Sequence, residues 1–254
     1  MSGEAALAYV LKRNRLVVAA GLVATVASGW IYLLLAPMPG MDGMETMVMG
    51  RLGGWTSADV ALTFLMWAAM MVGMMVPSAA PVILLYAMVA RRRDAAGHAS
   101  TAALVAGYVT AWSVFSLVAT LLQWGLDEAA LLTMAQAAAS PTLGAAILMA
   151  AGIYQFLPLK HACLDHCRSP LHVVTHEWRP GRRGAFVMGV RHGAVCVGCC
   201  WALMGLLFVG GTMNLLWAGA IAVLVLAEKL LPAGPLVVRL AGLGLIAAGL
   251  ALVF

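Results

Sequence analysis

Charge is what this 254-residue chain has least of: 10% of its residues are Asp, Glu, Lys or Arg, where a soluble domain carries roughly a quarter. That scarcity excludes an ordinary soluble domain and puts the chain in the membrane class. Strand periodicity is lacking too, and an open sheet could not satisfy its backbone in lipid, so helices remain. There is no Gly-rich phosphate loop, no Gly-x-Ser-x-Gly, no His-Glu-x-x-His and no haem-attachment motif, so hydrolase chemistry has no support. The net charge of +5 does not point to nucleic acid, because the basic residues sit at segment ends, where they set topology. Neither a repeat nor a separate soluble domain is visible.

What the chain has in excess is apolar length. Hydrophobic residues make up 63% and the mean hydropathy is +0.97. A spanning helix needs about 20 apolar residues, and seven such stretches are expected, at about 16–36, 60–87, 99–122, 142–158, 185–210, 213–230 and 236–254. The second contains Pro77 and Pro81, which are expected to kink it or end its regular part. The fourth is cut short by Pro158, and without it the count is six. The first follows Lys12, Arg13 and Arg15 but is too long for a signal core and lacks a cleavage site, so it reads as a retained anchor. The expected fold is all-α: one polytopic helical bundle over residues 1–254.

Basic residues orient it. Lys12, Arg13 and Arg15 precede the first span; Arg91, Arg92 and Arg93 follow the second. Lys160, Arg168, Arg179, Arg182 and Arg183 lie between the fourth and fifth, and Lys229 and Arg239 flank the last hairpin. With seven spans all of these fall on one side, the cytoplasm, and the amino terminus with them. The opposite side holds Asp42, Glu45, Asp59, Asp127 and Glu128 against Arg51 alone.

The fifth span carries the densest chemistry. His192, Cys196, Cys199 and Cys200 stand at i, i+4, i+7 and i+8, one helix face, with Cys196 about 16 Å inside the membrane. Thiols and imidazole are ligands for Cu(I), Zn(II) or Hg(II), and an imidazole at that depth is costly unless paired, buried or metal-bound. Plain packing, with Cys as a small apolar residue, is the competing reading. In the second span Met66, Met70 and Met74 form one i, i+4 stripe, with Met71 and Met75 a second. Thioethers bind Cu(I), although Met is equally an adaptable core filler.

Two connecting segments add soft donors. The outer loop, about 37–59, holds Met38, Met41, Met44, Met47 and Met49, most of them three apart, and can be read as a Cu(I)-capturing loop or as an amphipathic surface segment. The inner loop, about 159–184, holds Cys163 and Cys167 with His161 and His166 interleaved, then His172 and His176. It could serve as a zinc site, a metal-transfer site or a redox pair. Asn214 and Glu228 are further polar candidates in the sixth span, and Glu228 reads best as an anchor paired with Lys229 or Arg239.

At these residues the chain resembles a bacterial family of predicted metal-binding integral membrane proteins, a domain-of-unknown-function family. The resemblance rests on Met66-Trp-Ala-Ala-Met-Met with Met74-Met75-Val-Pro77, and on Gln155-Phe-Leu-Pro-Leu-Lys160 with Cys163 and Cys167-Arg-Ser-Pro170. It continues through Gly193, Gly198-Cys-Cys-Trp201, Met213-Asn-Leu215 and Glu228-Lys229. It implies a bacterial inner-membrane protein that binds metal, and no reaction. The outer Met loop stands on its spacing alone.

Together these readings give a multi-pass protein of the bacterial cytoplasmic membrane that handles copper(I) as carrier, insertion factor or transporter, with zinc or another soft metal as the alternative ion. Its expected partners are the bilayer, the metal and a metallochaperone or membrane partner protein. Two other classes compete: a membrane thiol–disulfide oxidoreductase, and a non-catalytic accessory subunit.

Overall fold

The computed structural model describes residue 31 and residues 55–93, 97–133 and 136–254. The expected first span, nearly all of the outer Met loop and the basic residues Lys12, Arg13 and Arg15 lie outside them. The described elements are helices, plus an isolated bridge between Leu132 and Ala138.

Helix α1, Ser57–Arg93, starts at a reciprocal cap. The Thr56 amide and hydroxyl both donate to Asp59 Oδ2, at 2.9 and 2.6 Å, and the Asp59 amide donates back to Thr56 Oγ1 at 3.3 Å, the logic of a capping box. The helix does not end at Pro77 or Pro81 but runs through both to Arg93. Around the prolines the Met75 carbonyl accepts from Ser78 Oγ at 2.8 Å and from the Tyr108 hydroxyl at 3.0 Å.

Helix α2, Gly97–Glu128, packs along α1 on one side and along α6, Gly181–Gly205, on the other. The α2–α6 approach is set by glycine. A methyl group on Gly189 would run into the Leu104 carbonyl, and one on Gly107 into the Phe186 carbonyl. Gly189 and Gly193 form the small-xxx-small ridge that lets two backbones meet without a hydrophobic driving force.

Helix α3, Pro141–Tyr154, is capped by Ser140, whose side chain accepts from the Leu143 amide, with Pro141 in the first turn. Helix α4, Pro158–Arg168, follows at a 64° bend and lies against α6. Helix α5, Pro170–His176, touches α1, and next to it Trp178 stacks on Tyr86 with ring centroids 4.9 Å apart. Prolines at the starts of α3, α4 and α5 suit positions where a missing amide donor costs nothing. The segment expected as an inner loop is therefore mostly helix, with Lys160, Leu164, Val173 and Val174 buried in the bundle.

After α6 comes the short α7, Leu207–Gly210, then α8, Leu215–Leu230. Asn214 caps α8, accepting from the Trp217 amide at 3.1 Å, which accounts for that residue structurally. Helix α9, Gly234–Val253, packs along α3.

Among the described residues, four helices are long and apolar enough to cross a membrane, Ser57–Arg92, His98–Glu128, Gly181–Gly210 and Gly234–Val253, and the bent pair α3–α4 makes a fifth if it counts as one span. Helix α8 has 16 residues, which is short of the about 20 that the hydrocarbon core requires. Outward faces are apolar: Val114, Leu117, Val118 and Leu121 on α2, and Leu236, Leu240 and Leu243 on α9, are exposed. Patches of this extent suit contact with lipid tails better than with water.

Candidate metal centre

Helix periodicity alone brings Cys196, Cys199 and Cys200 to one side of α6, and all three are buried at 1% exposure. The structure adds a sulfur that helix periodicity could not supply. Helix α4 folds back on α6, and the sulfurs of Cys167, Cys196 and Cys199 all lie within 4.8 Å of one another. Cys167 Sγ is 4.0 Å from Cys199 Sγ, and Cys199 Sγ is 3.2 Å from Cys200 Sγ. An ion bound by thiolates at about 2.3 Å holds its sulfurs about 4 Å apart, so the Cys167–Cys199 spacing needs little adjustment.

His192 lies one turn before Cys196 and is 4% exposed. Its Nδ1 has no hydrogen-bond partner, an unusual condition for a buried polar atom. Thiols with an unengaged imidazole nitrogen form a donor set that fits a soft ion better than a hard one.

Two residues that sequence reasoning missed complete the surroundings. Lys229 Nζ on α8 donates to Cys196 Sγ at 2.8 Å and to Ser78 Oγ on α1 at 3.2 Å. The Tyr108 hydroxyl on α2 is 3.0 Å from Cys196 Sγ. Cys196 thus sits where α1, α2, α6 and α8 converge. Lys229 matters electrostatically: two thiolates and one monovalent cation leave a net negative charge, which a neighbouring ammonium offsets in a low dielectric.

The chain belongs to the PpoB2 copper chaperone family, whose profile matches residues 64–252. No curated protein and no solved structure matches it. The matched stretch covers all five cysteines of this PpoB2 family member, His192 and the Met66/Met70/Met74 stripe, but not Met38, Met41, Met44, Met47 or Met49.

Other candidates fall elsewhere. Cys163 lies over Gly198, its sulfur 3.1 Å from where a Cβ would stand, and it is not among the clustered sulfurs. His161 is half-buried and is not brought into the cluster. Met70 and Met74 are buried, as are Met71 and Met75, and Met66 is partly so. Helix α2 packs along both α1 and α6, and Lys229 bridges Ser78 on α1 to Cys196 on α6.

Glu228 pairs with a different residue from those expected. Its Oε2 accepts from Lys160 Nζ at 2.7 Å, with both side chains at 1% exposure or less, and its Oε1 accepts from Gln155 Nε2 at 2.7 Å. Arg168 donates to the carbonyls of Glu228 and Leu231 at the end of α8, where cations complement the exposed carbonyls. Lys160 and Arg168 pin α4 to α8 at both ends, and Cys167 is fixed next to the second pin.

Proposed function

We propose that this protein is a membrane-embedded copper(I) chaperone that accepts Cu(I) at Cys167, Cys196, Cys199 and Cys200, with His192 beside them, and passes it on. The observation that carries this reading is the convergence of sulfurs from two helices within 4.8 Å in a chain of a copper chaperone family. Thiolate sites with low coordination numbers exchange ligands readily, as a carrier requires and a closed structural site does not. Zinc or another soft metal is the alternative ion. The metal here is cargo, and the reading assigns no enzymatic reaction.

The finer reading is a bacterial inner-membrane protein of about seven spans with a cytoplasmic amino terminus, based on the distribution of Lys and Arg. Met38, Met41, Met44, Met47 and Met49 would then gather Cu(I) on the outer side, and Met66, Met70 and Met74 would lie along its passage. A metallochaperone or membrane protein would be the partner in exchange. A reporter fused after Phe254 should report the periplasm, and one inserted near Arg92 the cytoplasm. A cytoplasmic carboxy terminus would remove one span, and α8 and the bent α3–α4 pair are the ones to re-examine.

The central test is metal loading. Detergent-purified protein, reduced and supplied with Cu(I), should bind one ion per chain, with X-ray absorption showing two or three sulfur neighbours at about 2.3 Å. Binding without sulfur neighbours, or no binding, would sink the reading. Thiol titration in the same preparation addresses the oxidoreductase alternative: Cys167 and Cys199, 4.0 Å apart, are the pair that would cycle.

A further inference from the structure

A copper centre buried at this depth needs a route to water, and a row of imidazoles leads away from it. His172 and His176 are exposed on α5, stacked with ring centroids 4.5 Å apart. His166 on α4 stands 6.2 Å from His172 and 6.1 Å from His192. His166 immediately precedes Cys167, and His192 lies one turn before Cys196, so both inner members of the row adjoin thiols of the centre.

Helix spacing accounts for the His172–His176 stack, since residues four apart are neighbours. It does not account for the interior. His166 Nε2 and His192 Nδ1 are both buried without a hydrogen-bond partner, as is Glu177 Oε2. Glu177 Oε1 is 3.4 Å from Arg191 Nη2 and 3.8 Å from His166 Nε2, so this carboxylate pairs with Arg191 and stands beyond hydrogen-bond distance of the imidazole nitrogen. A buried imidazole nitrogen that no protein group engages invites an external ligand or a water.

The spacings carry the argument further. A metal bound linearly between two imidazole nitrogens at about 2.0 Å puts the ring centroids about 6 Å apart. The His172–His166 and His166–His192 separations of 6.2 and 6.1 Å match that value, although the rings as they stand still have to rotate to share an ion. Imidazole is a borderline ligand, able to hold Cu(I) yet weaker for it than thiolate. A row of imidazoles ending at thiols is therefore graded toward the centre.

We propose that His172, His166 and His192 form an imidazole relay by which Cu(I) moves between the surface of α5 and the thiol centre, with His176 joining His172 as the landing pair. The proposal rests on the copper-chaperone reading above. Each step between imidazoles forms one Cu–N bond as another breaks, the last forms a Cu–S bond as a Cu–N bond breaks, and copper stays Cu(I) throughout. An imidazole that takes the ion on a nitrogen lone pair releases no proton; a proton leaves only when a thiol becomes a thiolate on receiving the ion.

The test is the rate of loading from Cu(I) bicinchoninate, followed by loss of that complex's absorbance, alongside the final copper content. The wild type should fill quickly. His166→Leu, and separately the surface double variant His172→Ala/His176→Ala, should reach the same final content at least about tenfold more slowly, as expected when one exchange barrier rises. His166→Met has nearly the same bulk as His166→Leu but restores a soft donor, so it should recover most of the rate. Wild-type rates in both slow variants, or equal rates for His166→Leu and His166→Met, would overturn the relay while leaving the thiol centre standing. A wild-type protein that takes up no Cu(I) would overturn relay and centre together.

Discussion

Cys199→Ser should lower Cu(I) affinity by at least about a hundredfold, near 2.7 kcal/mol, and Cys199→Ser with Cys200→Ser should abolish stoichiometric binding. Cys199 occupies the middle of the sulfur group, with Cys167 at 4.0 Å, Cys200 at 3.2 Å and Cys196 inside the 4.8 Å cluster. Serine is close to cysteine in size and can bond to a carbonyl one turn back, as Cys199 Sγ now bonds to the Cys196 carbonyl at 3.2 Å, so the helix should survive the change. A hydroxyl, unlike a thiolate, is a poor partner for a soft cation. Titration against a Cu(I) chelator of known strength measures the loss, and wild-type affinity in a folded double variant would remove the fifth-span site.

The same titration separates the two cysteines of α4. Cys167→Ser should weaken binding and remove one sulfur from the X-ray absorption signal. Cys163→Ser should do neither, because Cys163 lies against Gly198, outside the cluster. His192→Ala should cost less than Cys199→Ser, since thiolates alone can hold Cu(I). Because a thiol must lose its proton to bind, affinity in the wild type should rise with pH.

Much of this was legible in one dimension. Low charge and long apolar runs gave helices, and the periodicity of residues 192–200 gave the Cys/His face, because both are properties of a single segment. What could not be read is where segments meet. Cys167 and Cys199 touch across 32 positions, and Lys229 reaches Cys196 across 33. Helix α4 is polar enough, with Lys160, His161, Asp165, His166 and Arg168, to pass for a loop on hydropathy. A signal was nevertheless present: Lys160, Cys163, Leu164 and Cys167 recur at helical spacing, and Lys160 and Leu164 are buried. Adjacent Glu228 and Lys229 looked like an interfacial pair, yet neighbours in a helix point about 100° apart. They serve different partners for that reason, Glu228 holding Lys160 and Lys229 facing Cys196.

That division makes the Lys160–Glu228 pair the second large lever. Both side chains are at 1% exposure or less, so removing one partner strands a charge in the bundle, at a cost of about 3–5 kcal/mol. Lys160→Met alone should therefore sharply lower thermal stability in detergent, and so should Glu228→Gln alone. Combining them removes both charges, while the amide at position 228 can still accept from Gln155, so the double variant should regain most of the loss. The pair also holds α4 against α8. A single variant that remains folded should loosen Cys167 and lower the number of sulfurs around bound Cu(I), and the double variant, whose α4 is still held by Arg168 at the end of α8, should keep more of that coordination than either single change. If the double variant is as unstable as the sum of the two single changes, no coupling joins the residues, and the fixing of α4 must be credited to Arg168 and the packing of Leu164 instead.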